Sequence, residues 1–336
     1  MTLDRPRALG GTLLGTALGD ALGLPCEGLN AKTIARRFGK ADRFRLLGQT
    51  GFVSDDTELA ALLAQSLAEE PRDPERCAAA FRRALAGWLL RLPWGVGLAT
   101  LRAGGKALLG LRETGVASAG NGACTRAPIV GVFFASDPKQ RLAFGAALAR
   151  VTHTDDRAVQ AALFAAEVAA SAAYGVHPEK AVESGLAVVT QPELKAALEK
   201  AAALAAGGAP LDQATAELGV TGYSVHTAAF ASFCFARWGL DPLMAIQKTI
   251  AAGGDTDSIA ALVGAWSGAL AGEEGLDPEL LDALAGGPFG RAHLRALASA
   301  LSHGQPPPRY AWPLALLRNL ALYPVIIAHG LRRLLP

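Results

Sequence analysis

Aromatic residues are scarce in this chain, at 6% of 336 positions, and long runs of valine, isoleucine and threonine are missing. No stretch alternates apolar and polar residues with period two, so no strand pattern emerges. Cysteine is sparse as well. Cys26, Cys77, Cys124 and Cys234 stand far apart with no CxxC pair, which argues for reduced thiols rather than a disulfide framework. An excess of one charge is also lacking: 32 basic and 30 acidic residues leave a net charge of +2. Nucleic-acid binding needs a clustered basic footprint, so no nucleic-acid partner is expected. The first ten residues hold Asp4, Arg5 and Arg7 but no long apolar core. No secretory signal is read there, and a cytoplasmic setting is expected.

What the chain does have is alanine, which supplies much of the 51% hydrophobic content. Alanine loses no side-chain entropy in a helix and lets helices approach closely, so the fold class expected is all-α, a compact orthogonal multi-helix bundle. Single cores stop growing near 250–300 residues, which points to one domain over residues 1–300 and an apolar helical tail over 301–336. Gly11, Gly15, Gly19 and Gly23 recur every four residues and stack on one helix face. Each costs about 1 kcal/mol relative to alanine, so close approach of another backbone must offset them. Gly264, Gly268 and Gly272 repeat the device on a helix expected to begin near Ser258. Both helices are placed in the crowded centre of the bundle. Further helices are expected over 57–69, 74–92, 138–150, 157–174, 180–206 and 225–238, with a long loop over 104–128.

The last stretch stands apart. Pro306, Pro307 and Pro308 break the chain, and WPLALLRNLALYPVII follows, ending in Arg332 and Arg333. Arg318, Asn319 and Pro324 interrupt it, where a membrane span needs about 20 apolar residues. Three readings stay open: a helix capping the bundle, an interfacial anchor with Trp312, Tyr323 and the two arginines at lipid headgroups, and an oligomer contact.

Two short segments look alike, Ser54-Asp55-Asp56-Thr57 and Gly253-Gly254-Asp255-Thr256-Asp257-Ser258. Each sets two carboxylates and at least one hydroxyl at the start of an apolar-periodic helix. A helix N-cap explains one such residue, but each segment carries three or four. Like charges packed together need a cation. Carboxylates and hydroxyls without histidine or cysteine nearby suit Mg²⁺ or Mn²⁺ rather than Zn²⁺. Glu27 follows the first glycine helix in a loop bracketed by Pro25 and Gly28, where it reads as a general acid/base, an extra metal ligand or a plain solvated glutamate. The loop from Ser118 to Ala123, with Gly120, Asn121 and Gly122, has the composition to wrap a phosphate with backbone N–H groups.

The segments GTLLGTALGDALGLPCEG, SDDTELA, SAGNGACTRAPIVG, VTHTDDRAV and AAGGDTDSIAALVGAWSGA together resemble the ADP-ribosylglycohydrolase family. That family includes the dinitrogenase reductase-activating glycohydrolases and the ADP-ribosylarginine and ADP-ribosylserine hydrolases. The resemblance covers about residues 8–275 and leaves out the tail after Pro306. It implies a central dinuclear site holding two Mg²⁺ (Mn²⁺ also fits), with one ligand set on Ser54, Asp55 and Asp56 and the other on Asp255, Asp257 and Ser258. It places the catalytic carboxylate on Glu27 and the ribose and diphosphate contacts on Ser118, Gly120, Asn121 and Gly122, with His153 near the substrate. The implied activity is Mg²⁺-dependent cleavage of the glycosidic bond between ADP-ribose and a modified protein side chain or small acceptor. Two other readings are carried beside it: a divergent ADP-ribose or nucleotide binder, and a metal-dependent hydrolase of another nucleotide-like substrate.

Three departures from the family pattern stand out. Ser54 and Ser258 occupy positions where many relatives carry threonine, which keeps the hydroxyl. The histidine segment reads THTDDR instead of THxHP, and Asp155-Asp156 is read as a helix cap. Gly95, in Pro93-Trp94-Gly95-Val96-Gly97, stands where relatives of the dinitrogenase reductase type often carry aspartate, which puts arginine-linked substrates in doubt.

Overall fold

The structure, a computed structural model, describes residues 2–308 and 310–333, excluding the side chains of Arg332 and Arg333. The two arginines proposed for lipid headgroups therefore lie outside the described side chains. The first half comprises α1 (Arg5–Gly23), α2 (Ala31–Arg37), α3 (Asp55–Glu69), α4 (Pro74–Leu89), α5 (Leu98–Leu108), α6 (Gly122–Arg126), α7 (Pro128–Phe133), α8 (Pro138–Arg150) and α9 (Asp156–Ala173). The second comprises α10 (Pro178–Leu186), α11 (Pro192–Ala206), α12 (Leu211–Leu218), α13 (Ser224–Trp238), α14 (Pro242–Ala251), α15 (Thr256–Ala271), α16 (Pro278–Ala283), α17 (Arg291–His303) and α18 (Trp312–Arg333). Isolated β-bridges occur, but among the described residues no sheet forms. The all-α expectation holds.

The glycine stripes explain the centre. A Cβ on Gly11 would strike the carbonyl of Gly268, one on Gly15 that of Gly264, and one on Gly19 that of Ala260. A Cβ on Gly23 would lie 2.6 Å from Asp257 Cα. Residue numbers rise on α1 as they fall on α15, so the helices run antiparallel with backbone against backbone. Nearly every residue of both is buried. Around this pair four helices start on a repeated device: Asp73, Asp137, Asp241 and Asp277 each cap a helix whose first residue is proline. The aspartate accepts otherwise orphaned N–H groups, and proline has no N–H to satisfy.

Several boundaries differ from those read in the sequence. The 57–69 helix begins at Asp55 because Ser54 is its cap. The 74–92 helix stops at Leu89, and Leu92 takes a positive φ of 53°. The stretch 180–206 is two helices, divided before Pro192, since a residue preceding proline disfavours the α region. The expected loop over 104–128 is helical at both ends, in α5 and α6. Gly104 sits inside α5 because a Cβ there would lie 2.9 Å from the Leu89 side chain.

Helix α18 turns a polar face inward. The Arg318 guanidinium donates to the Glu58 carboxylate and, at 3.2 Å, to Val53 O. Asn319 donates to Arg91 O at 2.9 Å, Tyr323 to Pro93 O at 3.3 Å, and His329 Nε2 to Pro25 O at 2.9 Å. Leu322 joins Leu24 and Trp94 in a small apolar cluster.

Candidate metal centre and substrate cleft

The site begins with a residue that the sequence reading passed over. Asp20, wholly buried on α1, accepts the Ser54 N–H at 2.9 and 3.1 Å, the Thr57 N–H at 3.2 Å and the Thr57 hydroxyl at 2.5 Å. These bonds fix the first turn of α3, while the Ser54 hydroxyl caps it by accepting the Asp56 N–H at 3.2 Å. Asp55 and Asp56 consequently line the cleft, and Ser54 sits behind its wall. The only sequence signal for Asp20 was an acid inside an otherwise apolar Gly/Ala/Leu helix.

The second motif is held by backbone. Gly28 N–H donates to Gly254 O, and Gly254 N–H to Leu29 O, both at 2.8 Å, which ties the Glu27 loop to the turn before α15. Gly254 has φ 79°, and a Cβ there would strike Val220 O, so only glycine fits. Thr256 donates its hydroxyl to Gly23 O at 2.8 Å. The two motifs meet directly: the Ser258 hydroxyl donates to Asp56 Oδ2 at 2.8 Å.

A cleft of about 560 Å³ receives these groups, a volume in the range of small-molecule sites. Glu27, Asp55, Asp56, Asp255, Asp257 and Ser258 line it, as do Ser118, Gly120, Asn121, Gly122 and His153. Carboxylate oxygens of Glu27, Asp255 and Asp257 all lie within 4.8 Å of one another. Among the described residues no ion pair reaches Asp55, Asp56, Asp255 or Asp257; the buried pairs are Arg141–Glu167 and Arg318–Glu58. Burial raises all four of those aspartates. Asp56 is pushed up to about 7, with Asp20 and Asp255 adding repulsion, and Asp55 and Asp257 rise well above the usual range. Asp20 is pushed up to about 6 by burial, which its hydrogen bonds oppose. Oxygen donors crowded together at this burial fit a hard divalent cation.

Beside the carboxylates the cleft has a neutral lining. Asn121 donates to Asp255 Oδ2 at 2.6 Å and to Thr227 Oγ1 at 3.0 Å. The Gly120 N–H is spent on Ser118 Oγ and the Asn121 N–H on Gly222 O. A phosphate therefore meets no unbroken run of N–H donors in this loop. Burial, together with the nearby Arg126 charge, pushes His153 down to about 3, so its ring is neutral at physiological pH. Arg126 donates to Thr152 Oγ1 at 2.6 Å, and that hydroxyl contacts His153 Nδ1 at 2.7 Å. A Cβ on Gly120 would lie 3.3 Å from His153 Nε2, which gives the glycine a packing reason. Asp155 caps α9 and pairs with Arg157 at 2.8 Å, the capping role expected of it.

A model of the ADP-ribosylglycohydrolase family matches residues 2–310 of this chain. The chain belongs to the ADP-ribosylglycohydrolase family. The match extends beyond the 8–275 span of the motif resemblance and ends just before α18. An uncharacterized protein of Archaeoglobus fulgidus is 31% identical over 267 residues, covering 76% of this chain and 85% of that protein. A solved structure described as an ADP-ribosylglycohydrolase-related protein complex superposes with a TM-score of 0.71 at 29% identity, covering 90% of this chain and 99% of its own. As an ADP-ribosylglycohydrolase family member, the chain is a glycohydrolase in general kind; the family is metal-dependent, and the acidic cluster can hold a metal. Gly95 lines the same cleft with φ 77°, and a Cβ there would sit 3.1 Å from Asp55 Oδ1.

Proposed function

We propose that the chain hydrolyses the glycosidic bond between ADP-ribose and a modified protein side chain or small acceptor, using two Mg²⁺ ions, with Mn²⁺ as a substitute. The observation that carries this reading is the meeting of two acidic helix starts across one cleft, with Glu27 beside them and, among the described residues, no cationic side chain in an ion pair with their aspartates. Asp55 and Asp56 would hold one side of the metal pair, with Ser54 contributing only through the hydroxyl that also caps α3, and Asp255, Asp257 and Ser258 the other. The metals would supply orientation of the distal ribose and a lowered pKa for bound water.

The protein groups divide the remaining work. Glu27, half-buried at the rim, takes a proton from the attacking water or gives one to the leaving group. Its carboxylate, within 4.8 Å of those of Asp255 and Asp257, would also fit as a further metal ligand. Asn121, Ser118 and neutral His153 offer hydrogen bonds to ribose and diphosphate without adding charge. The carboxylates favour the positive character that develops at the ribose C1 in an oxocarbenium-like transition state. Gly95 supplies no carboxylate for a leaving guanidinium, which favours a linkage other than arginine. The four cysteines are all buried and none forms a disulfide, which fits a working place in the reducing cytoplasm.

The test is release of ADP-ribose from arginine-linked and serine-linked ADP-ribosylated proteins, with and without chelator, and with Asp257→Asn as control. Release that needs both Mg²⁺ and Asp257 supports the reading and names the linkage. A variant with full activity sinks the metal assignment. Binding of Mg²⁺ and ADP-ribose without release from any conjugate moves the chain to the divergent-binder reading.

A further inference from the structure

Helix α18 turns polar anchors as well as Ala315 and Leu322 toward the body and leaves a second apolar stripe outside. A surface helix ordinarily turns its apolar stripe inward, yet here Arg318, Asn319, Tyr323 and His329 face the body and bond to it. Trp312, Leu314, Leu317, Leu320, Ile327 and Leu331 are all exposed, by 42 to 61%. They recur at helical spacing from one end to the other, a stripe about 30 Å long at 1.5 Å per residue. The window from Trp312 to Leu331 has a mean hydropathy of 1.5, with 17% of it buried in the body. An apolar stripe of that length marks an interaction surface. The helix does not cross a bilayer in this arrangement. Arg318 neutralises Glu58, a buried carboxylate that also accepts the Trp88 indole N–H at 2.6 Å, and lifting α18 away would strand that charge.

Charge beside the stripe selects its occupant. His329, near the end of α18, packs against Phe38 with ring centroids 6.5 Å apart. Phe38 belongs to a segment, residues 32–45, that carries Lys32, Arg36, Arg37, Lys40, Arg43 and Arg45 against a single acid, Asp42. Arg45 takes that acid at 3.1 Å, while Arg36, Lys40 and Arg43 stay exposed. A second copy docked through a two-fold axis would bring the same basic flank to the interface twice. An anionic lipid surface satisfies both features, with the apolar stripe at the acyl boundary and the cations on headgroup phosphates. Trp312 then sits at the headgroup level at the other end. We infer that α18 and the neighbouring basic segment dock this enzyme in-plane on an anionic membrane surface.

Co-sedimentation of the full chain with phosphatidylserine/phosphatidylcholine vesicles tests this without reference to turnover, so its failure is separate from failure of the glycohydrolase reading. Light scattering of the same samples follows oligomeric state. Expected are binding to the mixed vesicles, little binding to pure phosphatidylcholine and weakening by salt. Leu317→Glu/Leu320→Glu should bind about tenfold more weakly or worse, and Arg36→Glu/Lys40→Glu/Arg43→Glu several-fold more weakly. Thermal melts confirm that both variants stay folded, since all five positions are exposed. Absence of binding by the parent chain overturns the inference, and so does undiminished binding by the leucine variant. A dimer that Leu317→Glu/Leu320→Glu dissociates, with no vesicle binding, assigns the stripe to a second copy.

Discussion

Asp20 touches no solvent and is not among the residues lining the cleft, yet it accepts three N–H or O–H groups from the turn that carries Asp55 and Asp56. Asn in its place would turn an NH₂ group toward donors, leaving buried groups unpaired at a cost of about 1–3 kcal/mol. Asp20→Asn should therefore lower the melting temperature and weaken Mg²⁺ binding, although no proposed ligand has changed. Calorimetric Mg²⁺ titration beside thermal melts checks this, and unchanged affinity would remove the positioning role. Residues of this sort are hard to read in a sequence, because nothing in one helix announces which distant turn it will hold. The proposed metal ligands were legible for the opposite reason. Excess carboxylates packed into a helix start have no structural purpose beyond one cap, so Asp55, Asp56, Asp255 and Asp257 stood out before any fold was known.

Among the helices, the contact between α1 and α15 makes glycine substitutions diverge by position. Gly10 lies inside α1 with nothing within 4 Å of an added Cβ, so Gly10→Ala should stabilise by about 0.5–1 kcal/mol. Gly15→Ala drives a methyl into the Gly264 carbonyl, and backbone cannot rotate away as a side chain can. It should cost several kcal/mol or abolish soluble expression. Denaturant midpoints of the two variants decide the matter, and equal effects would contradict the packing. The stripe of four-residue spacing exposed this contact in the sequence, but not which residues of α15 faced which of α1. The short helices α2, α12 and α16 gave too few turns for periodicity to register, and α14 was missed beside the motif that follows it. The polar inward face of α18 was equally hidden, since Arg318 and Asn319 looked like interruptions rather than anchors.

Across the molecule the buried acids set an unusual pH response. Burial, before mutual repulsion, raises Asp20 to about 6 and Asp56 to about 7, and lifts Asp55, Asp255 and Asp257 as well. An unfolded aspartate titrates near 4. A folded value above the unfolded one contributes stability that is complete below pH about 4 and is lost as pH rises through 6 and 7. Metal-free protein should thus melt at a higher temperature at pH 5 than at pH 8. Mg²⁺ binds the ionised carboxylates of the folded state, so the melting gain it gives over chelator should grow across the same interval. Melts in chelator and in Mg²⁺ at both pH values check this; metal-free protein that is more stable at pH 8 would show that the cluster does not dominate.

The hydrogen bond from Ser258 to Asp56 joins residues 202 positions apart. Neither half of the centre has a local surrogate for the other, so any fragment ending before Asp255 carries the first pair of acids with nothing to complete it. Closing so large a loop adds little to the equilibrium cost, which rises only with the logarithm of its length, but contacts this remote come late in folding. During synthesis the growing chain lacks the second pair of acids until its final quarter, which holds Asp255 to Ser258 and α15, has been made.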